Sequence, residues 1–207
     1  YPDKITDELL ETMARQPKVL HYIDLPLQHA DDKILKAMNR KGDSAYLRET
    51  IAKIRNAMPD AVIRTTFIIG FPGEGEKEFE NLAEFINEVE FDRLGCFTYS
   101  PEEGTSAAEM DSQVEEQVKN DRMENIMEMQ LTIAAEKNEE KQGSVTEVLI
   151  EGWDDYIKCY FGRPPADAPE IDGKIFFMSN RPLKIGDFVK VRINDCLEYD
   201  LLGEVVE

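Results

Sequence analysis

Ala61-Val62-Ile63-Arg64-Thr65-Thr66-Phe67-Ile68-Ile69-Gly70-Phe71-Pro72-Gly73-Glu74 is the stretch on which the fold turns. Its first nine residues end in a nearly continuous apolar run, the pattern of a strand covered on both faces, and Gly70-Phe71-Pro72-Gly73 then makes a turn. A helix follows, with Phe79, Leu82, Phe85, Ile86 and Val89 in one broad apolar stripe. Leu94 to Tyr99 reads as the next strand, running into the loop Ser100-Pro101-Glu102-Glu103-Gly104-Thr105. Upstream, Ser44 is placed to cap a helix whose Leu47, Ile51, Ile54 and Met58 keep the 3.6-residue period up to Pro59. Asp31 to Asn39 predicts a shorter helix closed by Gly42, and His21 to Leu25 a strand that stops at Pro26. Thr6 can cap the first helix, which ends near Gln16-Pro17. Strand and helix alternate throughout, as in βα units around a parallel sheet. Three strands cannot close a barrel, so further βα units are expected upstream, and Tyr1 as first residue suggests a trimmed chain.

Val114 to about Gln142 reads as one long charged helix, and Gly143 ends it as a boundary between domains. The pattern then changes to β-rich runs at 145–150, 156–161, 174–178, 188–193 and 201–206, separated by Gly, Pro, Asn and Asp. Five short strands suggest a small OB-like barrel. The expected architecture is α/β, with a partial parallel βα barrel over residues 1–142 and a small antiparallel barrel over 143–207.

Composition narrows the function classes. A hydrophobic content of 42% over 207 residues suffices for a buried core, no apolar run reaches a membrane span, and a cytoplasmic monomer is the expectation. Cys96, Cys159 and Cys196 are odd in number and far apart, so they form neither a disulfide framework nor a CxxC metal site; they are expected to be packing residues. The net charge of −19, with no visible Lys/Arg cluster, argues against broad contact with a polyanion and suits a basic protein partner, although solubility alone also selects acidity. A free-standing OB-type RNA-binding protein is disfavoured on the same ground.

Three motifs fall at the ends of the predicted strands, where αβ barrels keep their active sites: Leu25-Pro26-Leu27-Gln28-His29, Phe67 through Glu74, and Phe97-Thr98-Tyr99-Ser100-Pro101-Glu102-Glu103-Gly104-Thr105. Together with Met38-Asn39-Arg40 they resemble the later strands of the methylthiotransferase branch of radical S-adenosylmethionine enzymes. The tail, with Gly162-Arg163 and Ala166-Asp167-Ala168-Pro169-Glu170-Ile171-Asp172-Gly173, resembles the TRAM domain that ends those proteins. Within the branch, one group modifies tRNA adenosine and the other, the RimO type, methylthiolates an aspartate of the twelfth small-subunit ribosomal protein. Glu102-Glu103 stands where the tRNA group usually has a basic residue. Residues 143–207 hold seven Lys/Arg against thirteen Asp/Glu, a net of −6, the wrong sign for RNA. The ribosomal-protein group is therefore the nearer resemblance, with the tRNA group as the alternative.

The resemblance implies S-adenosylmethionine as cofactor and two [4Fe–4S] clusters in the full-length enzyme, none ligated by this chain, which alone is expected to be inactive; no catalytic residue is assigned. Gln28, His29, Arg64, Thr66, Gly70 and Phe71 are the expected cofactor contacts. Glu102, Glu103, Asp154, Asp155 and Glu170 are the expected contacts to a basic ribosomal protein. Plainer readings stand beside these: His29 capping the next helix, Arg64 in an ion pair with a neighbouring strand, Gly70 to Gly73 as a tight turn only, and Met123, Met127 and Met129 as core and rim of the long helix.

Overall fold

The computed structural model describes residues 1–206, which fall into two compact units, Tyr1–Gln130 and a second from Leu131 onward. In the first unit, α1 (Asp7–Arg15) is capped by Thr6, whose hydroxyl accepts the Leu9 N–H at 3.2 Å. Then come β1 (Tyr22–Asp24), α2 (Asp32–Ala37), α3 (Ser44–Ala57), β2 (Val62–Ile69), α4 (Glu76–Val89) and β3 (Arg93–Thr98). The three strands form a parallel sheet in the order β1-β2-β3. The long helix α5 (Glu116–Glu139) begins in this unit and ends in the second.

Two sequence expectations are corrected here. The cap of α3 is Asp43, not Ser44: the Asp43 carboxylate accepts the Tyr46 N–H at 2.8 Å, while the Ser44 N–H is taken by Asp32 Oδ1 at 2.7 Å. And β2 is not covered equally on both faces. Ile63, Thr65, Phe67 and Ile69 are buried against the helices, whereas Val62, Arg64, Thr66 and Ile68 are only half-buried. One face thus carries the core, with Ile34, Leu35, Leu47, Ile54, Leu82, Phe85 and Phe91 enclosed beside it. The other is a more open face on which the register places Asp24, Arg64 and the buried Arg93 in one row, Thr66 beside Gly95 in the next, and Ile68 beside Phe97 in the third.

The second unit is a closed five-stranded barrel, β4 (Val145–Asp154), β5 (Cys159–Arg163), β6 (Ile175–Met178), β7 (Phe188–Leu197) and β8 (Asp200–Val205), in the order β4-β5-β6-β8-β7. All pairings are antiparallel except β6 with β8, which run parallel. Val148, Ile150, Ile175, Phe177, Val191, Ile193 and Leu201 fill the interior. Gly162 allows the walls to meet: a Cβ there would lie 2.1 Å from the Leu149 carbonyl oxygen. Tyr156, expected to begin a strand, instead sits fully exposed in the β4–β5 turn.

Candidate functional site

The C-terminal ends of the parallel strands are built from three loops. After β1 the chain keeps following β2: the Gln28 N–H donates to the Thr66 carbonyl at 2.9 Å and the Ile68 N–H to the Gln28 carbonyl at 2.8 Å. Between them, the Thr65 hydroxyl donates to the Leu25 carbonyl at 3.0 Å, and Arg40 Nη2 donates to the Pro26 carbonyl at 3.2 Å. These bonds hold Gln28 at φ 73°, a left-handed conformation that costs a residue with a side chain on the order of 1 kcal/mol. Arg40, of the Met38-Asn39-Arg40 motif, thus buttresses the Leu25–His29 loop.

His29 is wholly enclosed. Its Nδ1 accepts the Asp31 N–H at 3.0 Å, so the ring proton sits on Nε2, which donates to Glu74 Oε2 at 3.2 Å. With both nitrogens engaged and no exposed atom, His29 holds the loop in place and has no surface to offer a cofactor. Arg64 and Thr66 project from the open face. Arg64 forms no ion pair among the described residues, so the expected alternative, a pair with a neighbouring strand, is not made.

The loop after β2 centres on a residue that the sequence reading passed over. Glu74, with a fully buried side chain, accepts the Gly70 N–H at 2.9 Å and His29 on Oε2, and Arg122 Nη1 at 2.9 Å on Oε1. Gly70 sits at φ +73°, and a Cβ on it would lie 2.3 Å from Lys119 Cγ, so glycine is required both for backbone and for room. Lys33 Nζ donates to the Gly73 carbonyl at 2.8 Å and to Glu78 Oε1 at 2.7 Å, and Glu78 Oε2 accepts the Gly75 N–H at 2.9 Å. The ammonium of Lys33 holds the Glu78 carboxyl below its ordinary range. Phe71 meets the ring of Tyr99 edge-on at 5.2 Å, and the Tyr99 hydroxyl is buried without a hydrogen-bond partner among the described residues.

The remaining candidates are placed as follows. Glu102 and Glu103 are exposed in the loop after β3, where the Thr105 hydroxyl donates to the Glu102 carbonyl at 2.8 Å. In the barrel, Asp154 and Asp155 share the β4–β5 turn, but Asp154 is occupied in accepting the Tyr156 and Ile157 N–H groups at 2.8 and 3.1 Å. Asp155 is exposed and accepts Trp153 Nε1 at 3.1 Å; Glu170, also exposed, lies in the β5–β6 connection at φ 64°. Burial pushes the Cys96 thiol up to about 12, and burial followed by the Asp154 charge raises that of Cys159. Among the described residues, no group of three or more His, Cys, Asp and Glu side chains could hold a metal ion, and no helix is long and apolar enough to cross a membrane.

Residues 2–86 match the Radical SAM superfamily model and residues 143–206 the TRAM domain model. The whole chain is 50% identical to the ribosomal protein uS12 methylthiotransferase RimO of Desulforamulus reducens, of which it covers 47%. It is 46% identical to that of Acetivibrio thermocellus, covering 46% of it, and 43% identical to that of Geobacter sulfurreducens, also covering 46%. The chain therefore spans about half the length of the curated relatives it matches. Among solved structures, coproporphyrinogen III oxidase (HemN) from Escherichia coli, a radical SAM enzyme, superimposes with a TM-score of 0.54 over 65% of this chain and 31% of its own; at 19% identity the likeness is one of fold.

Proposed function

We propose that this chain is the C-terminal portion of a radical S-adenosylmethionine methylthiotransferase of the RimO type, with residues 1–142 as the later part of its βα barrel and 143–207 as its TRAM domain. The observation that carries the reading is likeness to uS12 methylthiotransferases over the full length of the chain. The substrate is then an aspartate of ribosomal protein uS12, modified at its β-carbon.

The residues present suit S-adenosylmethionine. Arg64 faces the open side of the sheet beside Asp24 but forms no ion pair among the described residues, and among them the buried Tyr99 hydroxyl beside Phe71 has no hydrogen-bond partner. When bound, the cofactor supplies the radical chemistry that activates the aspartate β-carbon. Phe71, nearly buried against Tyr99, and Gly70, whose N–H is already held by Glu74, would meet the adenine through the little of them that stays exposed, while Gln28, Arg64 and Thr66 offer hydrogen bonds and positive charge to the ribose and carboxylate. His29 and Glu74 keep those groups in register. Cys96, Cys159 and Cys196 are far apart in the sequence and do not offer the clustered thiolates an iron–sulfur cluster needs, so the two [4Fe–4S] clusters of the whole enzyme fall to other residues. On this reading, the chain by itself is expected to be inactive.

The acidic barrel supports a basic protein partner over RNA, with Glu170 exposed and Asp155 exposed although it accepts Trp153 Nε1 and pairs with Lys158 at 3.4 Å; Glu102 and Glu103 add exposed charge on the loop after β3. The test is to incubate the anaerobically reconstituted full-length protein with S-adenosylmethionine and purified uS12, and to read the gain of one methylthio group on an aspartate by mass spectrometry. Transfer to tRNA adenosine with uS12 unchanged would put the tRNA-modifying alternative in its place.

A further inference from the structure

Lys119 and Arg122 stand one helical turn apart on α5, and both are almost completely buried, which is costly for a cation unless it is paired. Both reach the turn after β2. Arg122 donates through Nη1 to the Glu74 carboxylate at 2.9 Å and to the Glu74 carbonyl at 3.0 Å, and through Nη2 to Glu76 at 3.4 Å. Lys119 lays its stem against Gly70 and donates from Nζ to the Tyr99 carbonyl at 2.8 Å and to Glu116 at 3.0 Å. Tyr99 in turn packs on Phe71. One turn of α5 therefore grips the Gly70–Glu74 loop from two sides.

We infer that Lys119 and Arg122 are positioning residues that set how tightly this loop holds S-adenosylmethionine. The inference rests on the reading that Gly70 and Phe71 touch the cofactor. Without Arg122, the Glu74 carboxylate keeps only His29 and the Gly70 N–H in a site closed to water, and an underpaired buried carboxylate rotates or draws in solvent. Gly70 then loses the acceptor that fixes its left-handed backbone. Without the Lys119 ammonium, the Tyr99 carbonyl loses its donor and Phe71 loses a firm neighbour. Neither cation needs to contact the cofactor to have these effects.

The experiment uses full-length, cluster-loaded protein, with S-adenosylmethionine affinity measured calorimetrically at a temperature where each variant keeps a native far-UV spectrum. Arg122→Met is expected to raise Kd about tenfold, the size of one lost charged hydrogen bond, with Arg122→Lys recovering part of it. KM for S-adenosylmethionine should rise with kcat nearly kept, and amide exchange at Gly70 should quicken. Lys119→Met, which keeps the stem over Gly70, should raise Kd about threefold and decides the matter if Arg122→Met does not fold. Folded variants with faster Gly70 exchange and unchanged Kd would overturn the inference. An unchanged Kd in Phe71→Ala would instead show that the loop is not a cofactor contact, and the inference would fall with that reading.

Discussion

His29 Nε2 lies 3.2 Å from Glu74 Oε2, 45 residues away in sequence, with both side chains fully enclosed, so a single buried contact pins the loop after β1 to the loop after β2. His29→Phe keeps the bulk but leaves the Asp31 N–H without its acceptor and Glu74 Oε2 with the Gly70 N–H alone. The expected cost is about 3 kcal/mol, read from urea denaturation, because breaking a buried polar pair on one side strands the other.

Gln28 separates strain from recognition. Gln28→Gly should stabilise the protein by about 0.5–1 kcal/mol by relieving the left-handed backbone, yet weaken S-adenosylmethionine binding by about 1–3 kcal/mol. Arg64→Ala should weaken binding similarly with little change in melting temperature, since it removes no ion pair. Calorimetric binding beside thermal denaturation checks both, and unchanged affinity in either variant would return that residue to a structural role.

The Glu78 carboxyl is held below its ordinary range by Lys33, so its contribution is fully present above the unfolded carboxylate range, near pH 4.3, and is lost as pH falls through the lower folded value. Acid should loosen the Gly73–Gly75 segment before the sheet opens. Glu78→Gln should flatten that part of the stability–pH curve, measured by urea midpoints between about pH 5 and 3.

Two glycine substitutions should behave oppositely. Gly162→Ala drives a Cβ to 2.1 Å from the Leu149 carbonyl oxygen and should cost about 3 kcal/mol or more, whereas a Cβ at Gly95 meets nothing within 4 Å. Gly95→Ala should leave the melting temperature within about 2 °C of the parent. Differential scanning calorimetry distinguishes them.

Association of the full-length protein with uS12 should slow as salt rises, because exposed charges are screened over about 8 Å at physiological ionic strength. Asp155→Lys with Glu170→Lys should slow it further. Asp154 is left alone, since its carboxylate is occupied in the turn. A salt-independent rate by surface plasmon resonance would remove the electrostatic argument.

Much of this architecture is legible in sequence, for physical reasons that differ by element. The stripe of Phe79, Leu82, Phe85, Ile86 and Val89 is legible because one helix face meets one core. Asp43 and Ser44 are both capping residue types side by side, and only Asp32, twelve residues earlier, decides between them by taking the Ser44 N–H. The apolar run of β2 conceals that one face is open, since Val62 and Ile68 are as apolar as their buried neighbours. His29 looks like an exposed loop residue until Glu74 closes over it. Lys119 and Arg122 were hidden because polar side chains pointing inward blur the periodicity that marks a buried helix face.

The parallel pairing of β6 with β8 has a consequence in time. β8 lies between β6 and β7, so until residues 200–205 are in hand both neighbours present raw edges and the cylinder stays an open ribbon. The β7–β8 hairpin can form locally, whereas the seam from Ile175–Met178 to Leu201–Glu204 must wait for a loop of over twenty residues to fold back. Synthesis from the N-terminus therefore delivers the closing stave last, and during that interval the nascent ribbon is exposed to pairing with its own copies.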